Sequence, residues 1–104
     1  MDARIRSAAL ERDDFTCQAC GKKSAGQVHH IRARSQGGAD SLSNLITLCG
    51  RCHMIISPVP AHALWNAFRV HKNDIAREKA KIENALCRAI ARRKIVIAKQ
   101  TKSI

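Results

Sequence analysis

Two C-x-x-C pairs constrain this chain more than any other feature of its sequence. The first pair is Cys17 and Cys20, and the second is Cys49 and Cys52. Two such pairs can place four thiolates around one tetrahedral ion, with Zn–S distances of about 2.3 Å. Redox use of one pair is the alternative, but it leaves the second pair without a purpose, and no βαβ pattern surrounds either. The sequence therefore predicts a structural Zn²⁺ site.

A metal-stabilised fold suits the rest of the composition. The chain has 104 residues, of which 3% are aromatic, so its core can bury only a limited apolar area. Domains of this size often depend on a metal or on disulfides. The sequence has no run of about 18 apolar residues that would span a membrane, and its first residues lack the apolar stretch of a secretory signal. We therefore expect a cytoplasmic metal-binding protein rather than a secreted disulfide-bonded one.

The charge of the chain points to a polyanionic partner. The formal net charge is +11 and the pI is about 10.2. Nucleic acid is the first candidate, because contacts to phosphate supply most nonspecific affinity for it. Charge alone leaves two alternatives. The partner could be an anionic membrane surface, or the basic surface could serve only solubility. Residues 69–104 carry a net charge of +8, so most of the excess lies at the end of the chain.

The first part of the chain, residues 1–57, contains the cysteine pairs and all five glycines. Residues 27–31 are expected to form a short strand. Residues 45–48 are apolar and partly β-branched, which predicts a second one. The Gly-Gly sequence in residues 35–41 predicts a loop between them. Residues 51–56 are expected to form a helix that ends before Pro58.

The second part, residues 58–104, contains no glycine and is expected to be a basic helical extension that packs on the first part or adjoins it. Two apolar stripes recur with helical spacing, and the second one predicts a long helix. The second stripe can pack either on the domain itself or on a second copy of the chain in a homodimer. The first stripe consists of Ala61, Leu64, Trp65 and Phe68, and the second of Ile75, Ile82, Leu86, Ile90 and Ile97.

Three histidines lie close to the cysteine pairs although four thiolates already complete a tetrahedron. His53 directly follows the second pair, and His29 and His30 end the first predicted strand. Neighbouring side chains of a strand point to opposite faces. One of the pair can therefore bind a second metal ion while the other points towards a substrate. An ion with positions left open for water is what metal-assisted hydrolysis requires.

The order of these motifs resembles the HNH endonuclease family. The resemblance covers about residues 12–56, a little under half of the chain, and several ordered motifs agree in it. It implies a ββα-metal finger. Together with the helical pattern after residue 58, this predicts a small α+β fold with flanking helices and a long basic C-terminal helix. The matching runs are Arg12-Asp13-Asp14-Phe15-Thr16-Cys17-Gln18-Ala19-Cys20-Gly21, Val28-His29-His30-Ile31, Gly37-Gly38-Ala39-Asp40-Ser41 and Asn44-Leu45-Ile46-Thr47-Leu48-Cys49-Gly50-Arg51-Cys52-His53.

The resemblance also implies a role for each matching residue. His29 and His53 correspond to the ligands of a catalytic ion, Mg²⁺ or another divalent metal. His30 corresponds to the general base that takes a proton from the attacking water, and an imidazole with an unperturbed pKa near 6.5 suits that task. Asn44 corresponds to the asparagine that braces the loop and so orients the base. The implied reaction cuts double-stranded DNA to leave 5′-phosphate and 3′-hydroxyl ends, in a bacterial or phage-encoded protein.

Several arginines are candidate contacts to the DNA backbone, because a guanidinium can grip phosphate with two parallel hydrogen bonds. Solvated surface charge is the alternative for each of them. Their order in the chain is Arg32, Arg34, Arg51, Arg88, Arg92 and Arg93.

Two other functions share the same cysteines and charge. One is a non-catalytic zinc-stabilised module that binds DNA with idle histidines. The other is a zinc-stabilised interaction domain for a protein partner. The presence of His29, His30, Asn44 and His53 in one chain favours the nuclease over both.

Overall fold

The structure, a computed structural model, describes the backbone of residues 2–102 and the side chains of residues 2–92. It is a small α+β fold with one antiparallel pair of strands, which confirms the predicted fold class. Both predicted strands and the short helix after the second cysteine pair are also confirmed. The elements are α1 (Ala3–Arg12), β1 (Gln27–His30), β2 (Leu45–Leu48), α2 (Gly50–Ile56), α3 (Ala61–Phe68) and α4 (Ile75–Lys102), with 3-10 turns at Arg34–Gln36, Leu42–Asn44 and Lys72–Asp74.

The strand pair is the layer on which the helices pack. β1 and β2 pair in a register that runs from Gln27 opposite Leu48 to His30 opposite Leu45. All four residues of β2 are buried, whereas β1 is exposed at its first residue and half-buried at the other three. An isolated two-stranded pair is at best marginally stable in water. The helices that cover β2 therefore stabilise the pair and fix the position of the histidines at the end of β1.

A buried carboxylate joins α1 to β2. Asp13 follows the last residue of α1 and is 8% exposed, and one of its oxygens accepts a 3.0 Å hydrogen bond from the backbone N–H of Thr47. Arg12 donates to both oxygens of Asp13, and it also donates to the backbone carbonyl of Leu45 at 2.6 Å. Burial raises the pKa of Asp13, but the hydrogen bonds from Arg12 and Thr47 outweigh that effect and leave the pKa below its ordinary value. The carboxylate therefore stabilises the folded chain as an anion.

Replacing Asp13 is expected to weaken the fold. Asp13→Asn removes the charge that Arg12 and the Thr47 N–H share, and we expect the free energy of unfolding at pH 7 to fall by about 1–3 kcal/mol. Because folding lowers the pKa of Asp13, its contribution is fully present above the ordinary value of 3.8 and is lost as the pH falls through the lower folded value. Urea unfolding at pH 7 measures the difference.

The neighbouring Asp14 provides the control, since its side chain is exposed and Asp14→Asn should change the unfolding free energy by less than about 0.5 kcal/mol. Equal effects of the two substitutions would contradict a special role for Asp13.

One apolar core connects the strand pair with the helices after residue 58. Leu64 of α3 and Ile82 and Leu86 of α4 belong to the same buried cluster as Ile46 of β2 and Ile55 of α2. The helices therefore pack directly on the segment with the cysteines. The boundary between residues 57 and 58 stays a prediction. The side chain of Ile97, the last member of the expected α4 stripe, lies outside the described residues.

The apolar face of α3 is only partly covered. Leu64 is 1% exposed and belongs to the core, but Trp65 is 46% exposed and Phe68 is 38% exposed. Of the four residues of this apolar stripe, only Leu64 is therefore buried. Within residues 2–102, none of the helices is both long enough and apolar enough to cross a membrane.

Candidate active site

The four cysteines of the two C-x-x-C pairs meet at one point. Cys17 and Cys20 lie in the loop after α1, and Cys49 and Cys52 lie at the start of α2. Their four Sγ atoms all lie within 4.8 Å of one another, and the Sγ atoms of Cys20 and Cys49 are 3.7 Å apart. Thiolates at about 2.3 Å from a tetrahedral zinc ion are separated by about 3.8 Å. The cluster therefore fits the structural zinc site that the sequence predicts.

Each pair has the same local geometry. The backbone N–H of Cys20 points to Cys17 Sγ at 3.4 Å, and the N–H of Cys52 points to Cys49 Sγ at 3.4 Å. Gly21 follows the first pair with a φ of +82°, a conformation that glycine adopts without the steric cost of a side chain. These turns hold two sulfurs of each pair on the same side of the backbone, ready for one ion.

The close packing of the cysteine thiols shifts the pKa values of Cys17 and Cys52 in opposite directions. A hydrogen bond from Cys52 lowers the pKa of Cys17 to about 4, while the same contact with Cys17 raises the pKa of Cys52. Burial raises the pKa of Cys20. Closely packed thiols resist ionising together because the thiolates repel one another. A divalent cation removes that repulsion, so zinc binding and loss of the remaining protons are coupled.

A second group of side chains lies at the end of β1 and in α2. The rings of His29 and His53 meet edge-on, with centroids 5.7 Å apart and an angle of 71° between their planes. A ring centroid lies on the order of 3 Å from a metal ion bound at about 2.0–2.1 Å, so both imidazoles can approach one ion. Among residues 2–92, the four cysteines are the only group of three or more ligand residues within bonding range of a common ion. An ion between His29 and His53 would thus keep positions open for water and phosphate.

Both of these histidines tend to stay uncharged. Burial lowers the pKa of His29, and the nearby His53 and His30 lower it further. Burial lowers the pKa of His53 as well. A neutral imidazole keeps the nitrogen lone pair that a metal ion needs. The two histidines at this position are therefore suited to bind a metal at neutral pH.

His30 points away from this pair and contacts an acidic residue of the following loop. Its Nε2 lies 2.7 Å from Asp40 Oδ1, and the side chains of His30 and Asp40 are 15% and 31% exposed. The hydrogen bond with His30 lowers the pKa of Asp40, burial opposes that shift, and the charge of Arg34 at 3.6 Å adds to it. If Nε2 carries the proton that Asp40 accepts, Nδ1 is left as the basic nitrogen of the ring.

Asp40 is the site residue that sequence reasoning missed. It was present in the Gly37-Gly38-Ala39-Asp40-Ser41 run, but nothing in that spacing indicates which side chain it contacts. The contact depends on how the loop folds back onto β1. An ionised carboxylate on one nitrogen of a histidine fixes the ring and its tautomer.

The side chain of Asn44 forms hydrogen bonds that hold the loop containing Asp40 in place. Its Oδ1 accepts a hydrogen bond from the backbone N–H of Arg32 at 2.8 Å, and its Nδ2 donates to the carbonyls of Arg32 and Ala39 at 3.1 and 2.9 Å. Gly38 lies against the same backbone, where a Cβ would come within 1.8 Å of the Arg32 carbonyl oxygen. The side chain thus joins the end of β1 to the residue before Asp40, a geometry that suits the bracing role expected of it.

The candidate DNA-contacting arginines have different surroundings. Arg32 and Arg34 are exposed on the loop after His30. Arg51 instead forms a 3.3 Å ion pair with Glu78 of α4, and this contact lowers the pKa of Glu78. Arg51 therefore also ties α4 to the second cysteine pair. Arg88 and Arg92 are exposed on α4, and the side chain of Arg93 lies outside the described residues.

Comparison with known proteins agrees with this geometry. The family model described as HNH endonuclease matches residues 17–57. This segment is therefore similar to HNH endonuclease domains. It includes both cysteine pairs, the three histidines at the site and Asn44. The chain is also 31% identical over 61 residues to the Type IV methyl-directed restriction enzyme EcoKMcrA of Escherichia coli (strain K12). That alignment covers 50% of this chain and 22% of the relative, so the chain spans about a fifth of the relative's length.

Proposed function

We propose that this protein is a metal-dependent endonuclease that hydrolyses phosphodiester bonds of DNA. The HNH match and the restriction-enzyme relative support a nuclease or DNA-binding role. The observation that carries the finer proposal is the placement of His29 and His53 around one point, with His30 and Asp40 beside them. A module that only binds DNA has no need for converging imidazoles next to a histidine–carboxylate pair.

In this proposal His30 takes a proton from the attacking water through the ring nitrogen that Asp40 does not engage. Asp40 is a positioning residue, because it holds the ring and stabilises the imidazolium that proton transfer creates. Asn44 keeps the loop of Asp40 closed on β1. A divalent ion bound by His29 and His53, Mg²⁺ or another, supplies polarisation of the phosphate and charge stabilisation at the leaving oxygen. The proposed products are 5′-phosphate and 3′-hydroxyl ends.

The proposed substrate is double-stranded DNA, held by phosphate contacts from exposed arginines. Arg32 comes two residues after His30, which makes it the strongest candidate for a contact at the cleavage site. Arg34 is a weaker candidate because it already contacts Asp40. Arg51 is weaker as well because it forms an ion pair with Glu78. Arg88 and Arg92 lie on α4 and would reach phosphates farther along the backbone. Arg93 belongs to the same proposal on sequence alone.

Cleavage of supercoiled plasmid tests the proposal. The zinc-loaded protein is expected to convert plasmid to nicked or linear forms when Mg²⁺ or Mn²⁺ is added and to leave it intact without a divalent ion. His29→Ala is expected to lower the rate by at least about 10- to 100-fold, the loss typical even of residues that only orient a metal ligand. The zinc content should stay unchanged, because four thiolates hold that ion.

Gln27→Ala is the matched control, since Gln27 is an exposed residue of the same strand. It should cleave at the wild-type rate. DNA binding by the wild type without any metal-dependent cutting would replace this proposal with the non-catalytic module. Full activity of His29→Ala would exclude His29 as a ligand.

A further inference from the structure

The exposed ring of Trp65 lies beside an open cavity of about 540 Å³. This volume is in the range of about 300–1,000 Å³ that small-molecule sites occupy. A large aromatic ring left half-exposed at such a cavity is available for stacking. The cavity is lined by Ala61, His62, Trp65, His71 and Lys72.

The backbone next to Trp65 adopts a conformation that brings a cation to the ring. Arg69 ends α3 with a φ of +57°, in the left-handed region where glycine is the usual residue. A side chain there has a steric cost that glycine avoids. Val70, the next residue, is 5% exposed and anchors the turn in the core. The result is that the Arg69 guanidinium lies 5.4 Å from the centroid of the Trp65 ring.

A second ring, that of His71, lines the cavity next to Trp65. His71 meets Trp65 edge-on, with centroids 6.3 Å apart and an angle of 87° between the planes. The backbone N–H of Asn73 donates to Nδ1 of His71 at 3.1 Å, which fixes the imidazole. Trp65 and His71 therefore form a preformed aromatic corner rather than two freely rotating side chains.

The charge around this corner selects its ligand. Arg69 and Lys72 are cations, and none of the described residues that line the cavity carries a carboxylate. A second copy of the chain would bring a net charge of +11 towards these cations, which disfavours it as the occupant. A nucleotide combines a flat ring for stacking with an anionic phosphate. Within a duplex, base pairing and neighbouring bases leave no free face for a tryptophan.

We propose that the Trp65 cavity binds an unpaired nucleobase of DNA, with the base against Trp65 and its phosphate near Arg69 and Lys72. Stacking on an aromatic residue tolerates any base, because every base has a π face. The site would let the protein prefer DNA with a single-stranded, bulged or flipped nucleotide. The inference rests on DNA as the partner in the proposed function, but it does not require cleavage.

Trp65 is the only tryptophan of the chain, so its fluorescence reports directly on the cavity. The zinc-loaded protein is titrated, without added Mg²⁺, with a single-stranded oligonucleotide, with the matching duplex, and with the duplex carrying one bulged base. We expect the single strand and the bulged duplex to quench the emission and the paired duplex to leave it nearly unchanged. By anisotropy of labelled DNA, Trp65→Leu should weaken binding of the bulged duplex about tenfold and Trp65→Phe much less.

The control is Phe15→Leu, which removes another exposed ring. It should leave the affinities for the paired and for the bulged duplex unchanged. Equal quenching by paired and bulged duplex, or unchanged affinity of Trp65→Leu, would overturn the inference. Self-association that Trp65→Leu abolishes would assign the cavity to a second copy instead. Plasmid cutting without quenching would refute this site alone, and quenching without cutting would refute the proposed cleavage alone.

Discussion

Loss of the zinc site is expected to unfold the protein. Cys49 is 4% exposed and Cys52 is 1% exposed, and both belong to the core cluster that contacts α3 and α4. The Cys49→Ser, Cys52→Ser double variant removes two of the four thiolates. Structural zinc contributes roughly 10–16 kcal/mol in small zinc domains, whereas an entire small domain is stable by only about 5–15 kcal/mol. We therefore expect no bound zinc and no cooperative thermal transition.

Zinc analysis and circular dichroism measure this result. The wild type should contain about one equivalent of zinc per chain. Cys87→Ser is the matched control, because Cys87 is an exposed thiol of α4 outside the four-cysteine cluster. It should retain the zinc and the melting temperature of the wild type. If the double variant melted cooperatively at the wild-type temperature, the four cysteines would not be the structural centre of the fold.

The features that sequence predicted well are those that depend on local spacing. Two C-x-x-C pairs predict a tetrahedral site because the coordination geometry of the ion fixes the positions of the four sulfurs. This holds for any conformation of the loops between the pairs. The strand around Ile46 followed from a short apolar run that is partly β-branched. Family resemblance added the expected roles of the histidines and Asn44, and the structure places these residues close to each other along the end of β1, the loop and α2.

The features that sequence missed are contacts between side chains far apart in the chain. The hydrogen bond from Thr47 to Asp13 connects β2 with the residue that follows α1, and the ion pair of Arg51 and Glu78 connects α2 with α4. Neither contact follows from periodicity, because each depends on how whole elements pack. The exposure of Trp65 has the same origin. Its position on an apolar helical face does not determine whether another element packs over it.

Loss of the imidazole of His30 is expected to abolish cleavage without disturbing the fold. General base catalysis by a positioned side chain contributes typically about 10²- to 10⁴-fold to the rate. We therefore expect His30→Ala to reduce plasmid cleavage by this factor at saturating Mg²⁺. Asp40, the partner of His30, is 31% exposed and can be solvated by water once the imidazole is removed. The zinc content and the melting temperature should consequently stay close to those of the wild type.

Added imidazole distinguishes a missing base from a distorted site. His30→Ala creates space beside Asp40, and free imidazole that enters it can accept the proton of the attacking water. We expect cleavage by His30→Ala to rise with imidazole concentration even when Mg²⁺ is saturating. Any rescue of His29→Ala by imidazole should instead depend on the Mg²⁺ concentration, because there the added imidazole replaces a metal ligand. A structural role for His30 would give no such rescue, and full activity of His30→Ala would exclude it as the base. Because the two histidines are neighbours on β1, a different dependence of the rescue on Mg²⁺ concentration would separate their roles on the two faces of one strand.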